Sequence, residues 1–146
     1  MVNVKVNRNF NLNNIKLDLH RELNKGLDII ALDIQKGIEK GSQFGKPFKR
    51  NAKSTIKKKG FDHPLKHTGL MMNSGKMART KATRNNQVAV LTPHESRVDI
   101  AFYNDSGSGY AGPGPPARPF WGISSKAEKE IMRHIEGSIA REIRRA

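Results

Sequence analysis

From Leu12 to Ile38 the chain places an apolar residue every three or four positions: Leu12, Ile15, Leu19, Leu23, Leu27, Ile30, Ile34 and Ile38. That spacing keeps all eight on one face of an α-helix and does not fit a strand, whose side chains change face at every residue. It predicts a helix over residues 14–40, capped by Asn13 or Asn14 and closed by Gly41, with Asp18 and Lys40 at the ends where the helix dipole favours them. Such a helix is stable in water only if its apolar stripe is buried against other elements. Leu17, Ile29 and Leu32 widen the stripe, which leaves two outcomes open. The helix is either sunk in the chain's own core, or it faces a sheet on one side and another subunit on the other.

What the helix can pack against is limited by length. The 146 residues suffice for one domain. Hydrophobic residues make up 36% and aromatic residues 6%, low enough to leave room for long polar segments or for burial completed by neighbouring subunits. There is no cysteine, which excludes disulfides, thiolate metal sites and a catalytic thiol, and fits assembly in a reducing cytoplasm. Neither a signal-peptide pattern nor an apolar run long enough for a membrane span is apparent, so no membrane partner is expected.

The formal net charge is +14, and it is unevenly spread. Between Phe44 and Arg84 stand twelve Lys/Arg residues and a single acid, Asp62. This stretch should attract polyanions through phosphate contacts and counterion release, with Lys49, Arg50, Lys53, Lys57, Lys58 and Lys59 as the candidate contacts. A solvated loop whose charge only keeps the subunit soluble accounts for the composition equally well.

Along the rest of the chain, Val2, Val4 and Val6 predict a short strand. Residues 41–76, rich in Gly, Pro, Lys and Ser, predict a long basic loop with a helical turn around residues 65–74. Strand-like alternation marks residues 77–84, and more clearly 87–92 (Val88, Val90) and 97–103 (Val98, Ile100, Phe102), the last two joined by a hairpin turn at residues 93–96. Residues 104–119 hold Pro113, Pro115, Pro116 and Pro119 among glycines and predict an extended arm. A last helix starts at Ser125, where Ser125 and Glu128 have the spacing of a capping box, and carries Ile131, Ile135, Ile139 and Ile143 on one face. The fold class is therefore α+β: a small, mainly antiparallel sheet of about four strands, packed by a long N-terminal helix and a C-terminal helix.

Three patterns invite a chemical reading and fail it. Gly107, Gly109 and Gly112 spell the dinucleotide-binding G-x-G-x-x-G, but that motif must open a helix, and Pro113, Pro115 and Pro116 forbid one. Gly41 to Lys46 is one residue short of a phosphate loop and has Pro47 where a magnesium-binding hydroxyl should stand. His63 and His67 have metal-ligand spacing on a helix, but Pro64 lies between them with no third ligand nearby. No catalytic, cofactor or metal residues are assigned, and no enzymatic activity is expected.

Two stretches carry a resemblance. Pro64-Leu65-Lys66-His67-Thr68-Gly69-Leu70-Met71-Met72-Asn73-Ser74 resembles the PL-x-x-TG-x-L-x-x-S segment of the phage virion-morphogenesis, or tail-completion, family that includes the Mu-type G protein. Pro116-Ala117-Arg118-Pro119-Phe120-Trp121-Gly122-Ile123-Ser124 resembles its PARPF-x-G-x-S segment, which leads into the last helix. The family usually has a histidine between its last strand and the second segment; Phe102 to Gly107 here has none. The resemblance implies a structural virion protein of a tailed phage, forming a ring at the head-tail junction. Its partners would be copies of itself, the neighbouring connector and tail-terminator or tail-tube proteins, and packaged DNA without sequence preference. It marks Leu65, Thr68, Gly69, Leu70, Ala117, Arg118, Pro119, Phe120, Trp121 and Gly122 as motif or subunit-contact residues. Physically, Phe120 and Trp121 could plug the gap between the last helix and the sheet while Arg118 pairs with an acid or carbonyl, or all three could anchor in a neighbour. The rival reading from another class is a stand-alone nucleic-acid-binding protein, supported by the sequence pI near 10.4.

Overall fold

The computed structural model describes residues 17–66, 69–107 and 116–145. The elements run α1 (His20–Lys40), β1 (Ser42–Gln43), β2 (Lys46–Pro47), α2 (Lys53–Lys59), β3 (Ala78–Thr80), β4 (Val90–Thr92), α3 (Val98–Ser106) and α4 (Ser125–Arg145), with 3-10 turns at Ser74–Lys76 and Glu95–Arg97. The class is α+β, but the strands form two separate antiparallel pairs, β1 with β2 and β3 with β4, rather than one sheet. The expected strand at Val2–Val6 lies outside the described residues.

Helix α1 follows the apolar spacing: Leu27, Ala31, Ile34 and Ile38 are buried, and Gly41 closes the helix in the left-handed conformation at φ 76°. Its start is later than expected, and Asn13 and Asn14, the expected caps, lie outside the described residues. No side chain caps α1 at Leu19; Gln87, 68 residues away, instead holds the chain leading into it, its Oε1 accepting from the Leu19 N–H (2.9 Å) and its Nε2 donating to the Leu17 carbonyl (3.1 Å). Leu17 and Leu32 remain about half exposed while Ile29 is partly buried, so among the described residues the extra width of the stripe is only partly covered.

Helix α4 lies antiparallel along α1. Ile131 packs against Gly26, and Ser138, buried, donates to Glu22 one turn nearer the start of α1, with Arg141 closing the set onto Ser138 (2.7 Å). The helix begins where expected, but its cap is Ser124, whose Oγ accepts from the Ala127 N–H (3.2 Å), rather than the Ser125–Glu128 box. On the same face of α1, nearer its C-terminal end, β1 and β2 close through Phe44 and Gly45, both with positive φ (53° and 73°), as a two-residue primed hairpin requires. The hairpin delivers Gln43 against α1, where it is buried and donates to Asp33 (3.1 Å).

Gly37 makes room for this side chain: a Cβ there would stand 2.2 Å from Gln43 Oε1 and 3.1 Å from the Ser42 carbonyl oxygen. Gly37→Ala is expected to destabilise the protein by about 1–3 kcal/mol through overpacking, outweighing the ~1 kcal/mol gained in helix propensity. Thermal unfolding tests this directly. The double variant Gly37→Ala/Gln43→Ala should recover part of the loss, and a single variant melting at or above wild type would contradict it.

Two further expectations need correction. Residues 41–76 are not one loop, since they hold β1, β2, α2 and the 3-10 turn at Ser74–Lys76. Residues 97–103 are not a strand either. They enter α3, and β4 pairs with β3 instead, Arg79 opposite Leu91. Asn24 of α1 then clamps the chain leaving β3, its Oδ1 accepting from the Ala82 N–H (2.7 Å) and its Nδ2 donating to the Ala82 carbonyl (3.0 Å). The core formed by these elements contains Ala31, Ile34, Ile38, Met71, Met77, Ala101 and Phe120.

Candidate functional site

The PARPF segment runs extended into this core, and its residues divide sharply. Ala117 and Pro119 are exposed, whereas Arg118 and Phe120 are 4% and 1% exposed. A chain with alternating side chains passing over a core edge gives this division. Arg118 Nε donates to the Lys49 carbonyl (2.6 Å), Nη2 to the Arg50 carbonyl (2.8 Å) and to Asn51 Oδ1 (3.4 Å), and Nη1 to Asn104 Oδ1 (3.1 Å). Its backbone N–H donates to the Asn104 carbonyl (2.7 Å). All these acceptors are uncharged. Burial therefore pulls the guanidinium below the ordinary arginine range, with Asp62 acting in the opposite sense.

Asp105, one residue further along α3, receives the next two N–H groups, from Phe120 (2.9 Å) and Trp121 (3.0 Å), on a single carboxylate oxygen. The Phe120 and Trp121 rings meet edge to face at 6.0 Å. Gly122 has φ 144°, and a Cβ there would stand 3.3 Å from Phe44 Cζ. Of the two roles open to this segment, the geometry matches the plug: Phe120 fills the core, and Arg118 ties residues 49–51 to the end of α3.

The other segment arrives at the same place. Leu65, at φ 63°, and Met72 pack against the core that includes Met71 and Phe120. Gly69 has φ 80°, and its carbonyl accepts from the Asn73 N–H (2.9 Å). Thr68 lies outside the described residues. Leu65, Gly69, Leu70 and Met71 form one wall of a cleft of about 390 Å³, which Thr55 and Lys59 of α2 and Ile100 and Asn104 of α3 complete.

The basic contacts are only partly brought together. Lys53, Lys57 and Lys58 are exposed on α2, and Lys49 and Arg50 are exposed just before it. Arg50 pairs with Asp62 (2.7 Å), which also accepts from the Asn51 N–H (3.2 Å). Lys59 is turned inward: its Nζ donates to the His63 carbonyl (2.8 Å) and stands 5.0 Å from the centre of the Phe61 ring. Desolvation, then the Arg118 charge, lower its pKa from the ordinary lysine value. Lys59 therefore does not join the outward set.

Sequence reasoning did not find Asn51, Asn104 or Asp105, which hold the PARPF segment in place. The available signal was Arg118 itself, since a buried arginine needs several oxygen acceptors and short polar side chains supply them. The patterns rejected as chemistry have structural roles. Gly107 closes α3, with φ 76°, and Gly41 to Lys46 forms the first hairpin. Both ring nitrogens of His63 face carbonyl oxygens, of Pro64 and Glu39, each at 3.0 Å. Gly109, Gly112 and His67 lie outside the described residues. Among the described residues no cluster of three metal-ligating side chains occurs, and no helix is long and apolar enough to cross a membrane. No family model, curated protein or solved structure matches the chain.

Proposed function

We propose that this chain is a structural subunit of a tailed-phage virion, a tail-completion or neck protein that forms a ring at the head-tail junction. The observation that carries this reading is the meeting of its two family-like stretches, more than forty residues apart, in one core, where Leu65 and Met71 of the first share a cluster with Phe120 and Trp121 of the second. Motif residues that converge on one structural knot are what a shared fold demands, and nothing about the knot requires substrate chemistry.

Ring assembly also accounts for the apolar surface left uncovered. Val88, Val90, Val98, Ile100 and Phe102 are between 41% and 59% exposed, and Leu17, Leu32 and Ile143 are similarly open. A ring subunit offers two different faces to its two neighbours, so apolar surface on several sides is expected of it. The exposed lysines of α2 then face either the DNA channel or an adjacent ring.

The experiment must spare the core, which deletion through Phe120 would destroy. The chain ends flanking residues 108–115 are close, a Cβ on Gly107 standing 3.0 Å from Ala117 N. A short Gly-Ser link can therefore replace 108–115 without moving Arg118. The purified protein should form closed rings by electron microscopy, and the shortened variant should fold normally yet fail to join heads to tails. A strictly monomeric protein whose shortened variant still supports infectious particles would exclude the reading.

The rival reading, a stand-alone nucleic-acid-binding protein, draws on the outward face of α2, and salt dependence separates the two. With five outward basic residues, log K for duplex DNA should fall with log salt at a slope of about −4 to −5, without sequence preference. Replacing Lys53, Lys57 and Lys58 by Gln should reduce that slope by roughly 3. Tight, sequence-selective binding at physiological salt would favour the rival.

A further inference from the structure

The cleft between α2, residues 65–66 and 69–71, and α3 has an unbalanced lining. Lys59, Lys66 and Arg97 line it, and no carboxylate does among the described residues. Behind its wall, Arg118 bonds Asn51 and Asn104, both of which also line the cleft. Two nearby acids are already engaged, Asp62 by Arg50 and the Asn51 N–H, and Asp105 by the Phe120 and Trp121 N–H groups.

Asn51 shows the same imbalance within a single side chain. Its oxygen must face Arg118, because the amide nitrogen there would set donor against donor, and this leaves Nδ2 shielded from solvent with no acceptor. A buried donor without a partner costs about 1–3 kcal/mol, and proteins rarely retain one unless something else satisfies it.

We infer that this cleft binds a phosphate group through the cations of Lys59, Lys66 and Arg97. A phosphate presents several strong acceptors and up to two negative charges, which suits a cleft lined by three cations and, among the described residues, no carboxylate. The volume of about 390 Å³ exceeds what one phosphate needs, so the group can arrive attached to a nucleotide unit as well as free. This assignment does not depend on the ring reading, because the cleft lies within one subunit.

Calorimetry on the full chain tests it with three probes at low salt: inorganic phosphate, a short oligonucleotide with internal phosphodiesters only, and glutarate as a carboxylate of comparable charge. Phosphate, the oligonucleotide or both should bind, and glutarate at least about tenfold more weakly. Binding of phosphate alone identifies a free phosphate as the source, and competition between the two identifies a nucleic-acid backbone.

Asn51→Asp keeps an oxygen acceptor for Arg118 but removes the orphan donor and adds a negative charge. It should melt at or above the wild-type temperature while losing about tenfold or more in phosphate affinity. Arg97→Ala/Lys66→Ala, which leaves the Arg118 bonds intact, should lose affinity similarly. Lys57→Gln/Lys58→Gln, outside the cleft, should bind inorganic phosphate as wild type does. No phosphate binding by the wild type, equal binding of glutarate, or unchanged affinity in Asn51→Asp and Arg97→Ala/Lys66→Ala would overturn the assignment.

Discussion

Phe120→Ala is expected to destabilise the protein by about 3–5 kcal/mol, the range for emptying a large buried aromatic site. Phe120 is 1% exposed and sits in the cluster with Ile34, Ile38, Met71 and Ala101, which come from three separate parts of the chain. No single element can collapse into the vacated volume, because α1, the turn before β3 and α3 are each held by other contacts. The Phe120 N–H bond to Asp105 keeps the backbone in place and leaves the cavity open. Since domains of this size are stable by only about 5–15 kcal/mol, the variant should unfold well below the wild-type temperature. Trp121, the sole tryptophan, lies against the altered site and reports urea unfolding by fluorescence. Phe102→Ala is the control: at 59% exposure it should stay within roughly 0.5 kcal/mol of wild type. Comparable losses in the two variants, or a loss under about 1 kcal/mol in Phe120→Ala, would mean that Phe120 is not the plug of this core.

The second large effect concerns Arg118. Arg118→Met preserves most of the side-chain volume but removes four hydrogen bonds, leaving the Lys49 and Arg50 carbonyls and the oxygens of Asn51 and Asn104 without their shared donor. Because some of these acceptors can recruit water at the exposed chain of residues 49 and 50, the expected loss is about 2–4 kcal/mol rather than the full sum. Arg118→Lys should recover little. A single ammonium cannot span acceptors on two elements as a planar guanidinium does. The damage should also be local before it is global, with trypsin cutting after Lys49 and Arg50 much faster in either variant than in wild type. Unchanged cleavage there, with only a lower melting temperature, would show that residues 49–51 are held by something other than Arg118.

Both effects concern a segment that stood out in the sequence for its composition, yet its role rests on residues that did not. Arg118, Phe120 and Trp121 were legible as large side chains stiffened by Pro116 and Pro119. That they face inward depends on Asn104 and Asp105, which lie at the end of α3, where the sequence pattern predicts the start of an extended arm. Val98, Ile100 and Phe102 alternate as a strand does, but in α3 all three are substantially exposed and Ala101 between them is the buried residue. Helix geometry there places Asn104 and Asp105 where Arg118 and the Phe120 and Trp121 N–H groups find acceptors. Those bonds cross about fifteen residues and leave no trace in local periodicity.

By itself, the sequence determined the elements whose signal is dense and repeated. The stripe from Leu23 to Ile38 made α1, Gly41 ended it because only glycine enters the left-handed conformation cheaply, and the isoleucines from Ile131 onward made α4. Only the tertiary structure decided what was carried by one or two side chains: that Gln87 would hold the chain entering α1, that Ser124 rather than Ser125 would cap α4, that β4 would pair with β3, and that Lys59 would turn inward while Lys53, Lys57 and Lys58 remained outside. The physical reason is the size of each preference. A periodic apolar face adds a contribution at every turn and survives almost any surroundings, whereas a cap, a short strand pairing or one lysine's direction is worth on the order of 1 kcal/mol and goes to whichever partner the rest of the fold brings near.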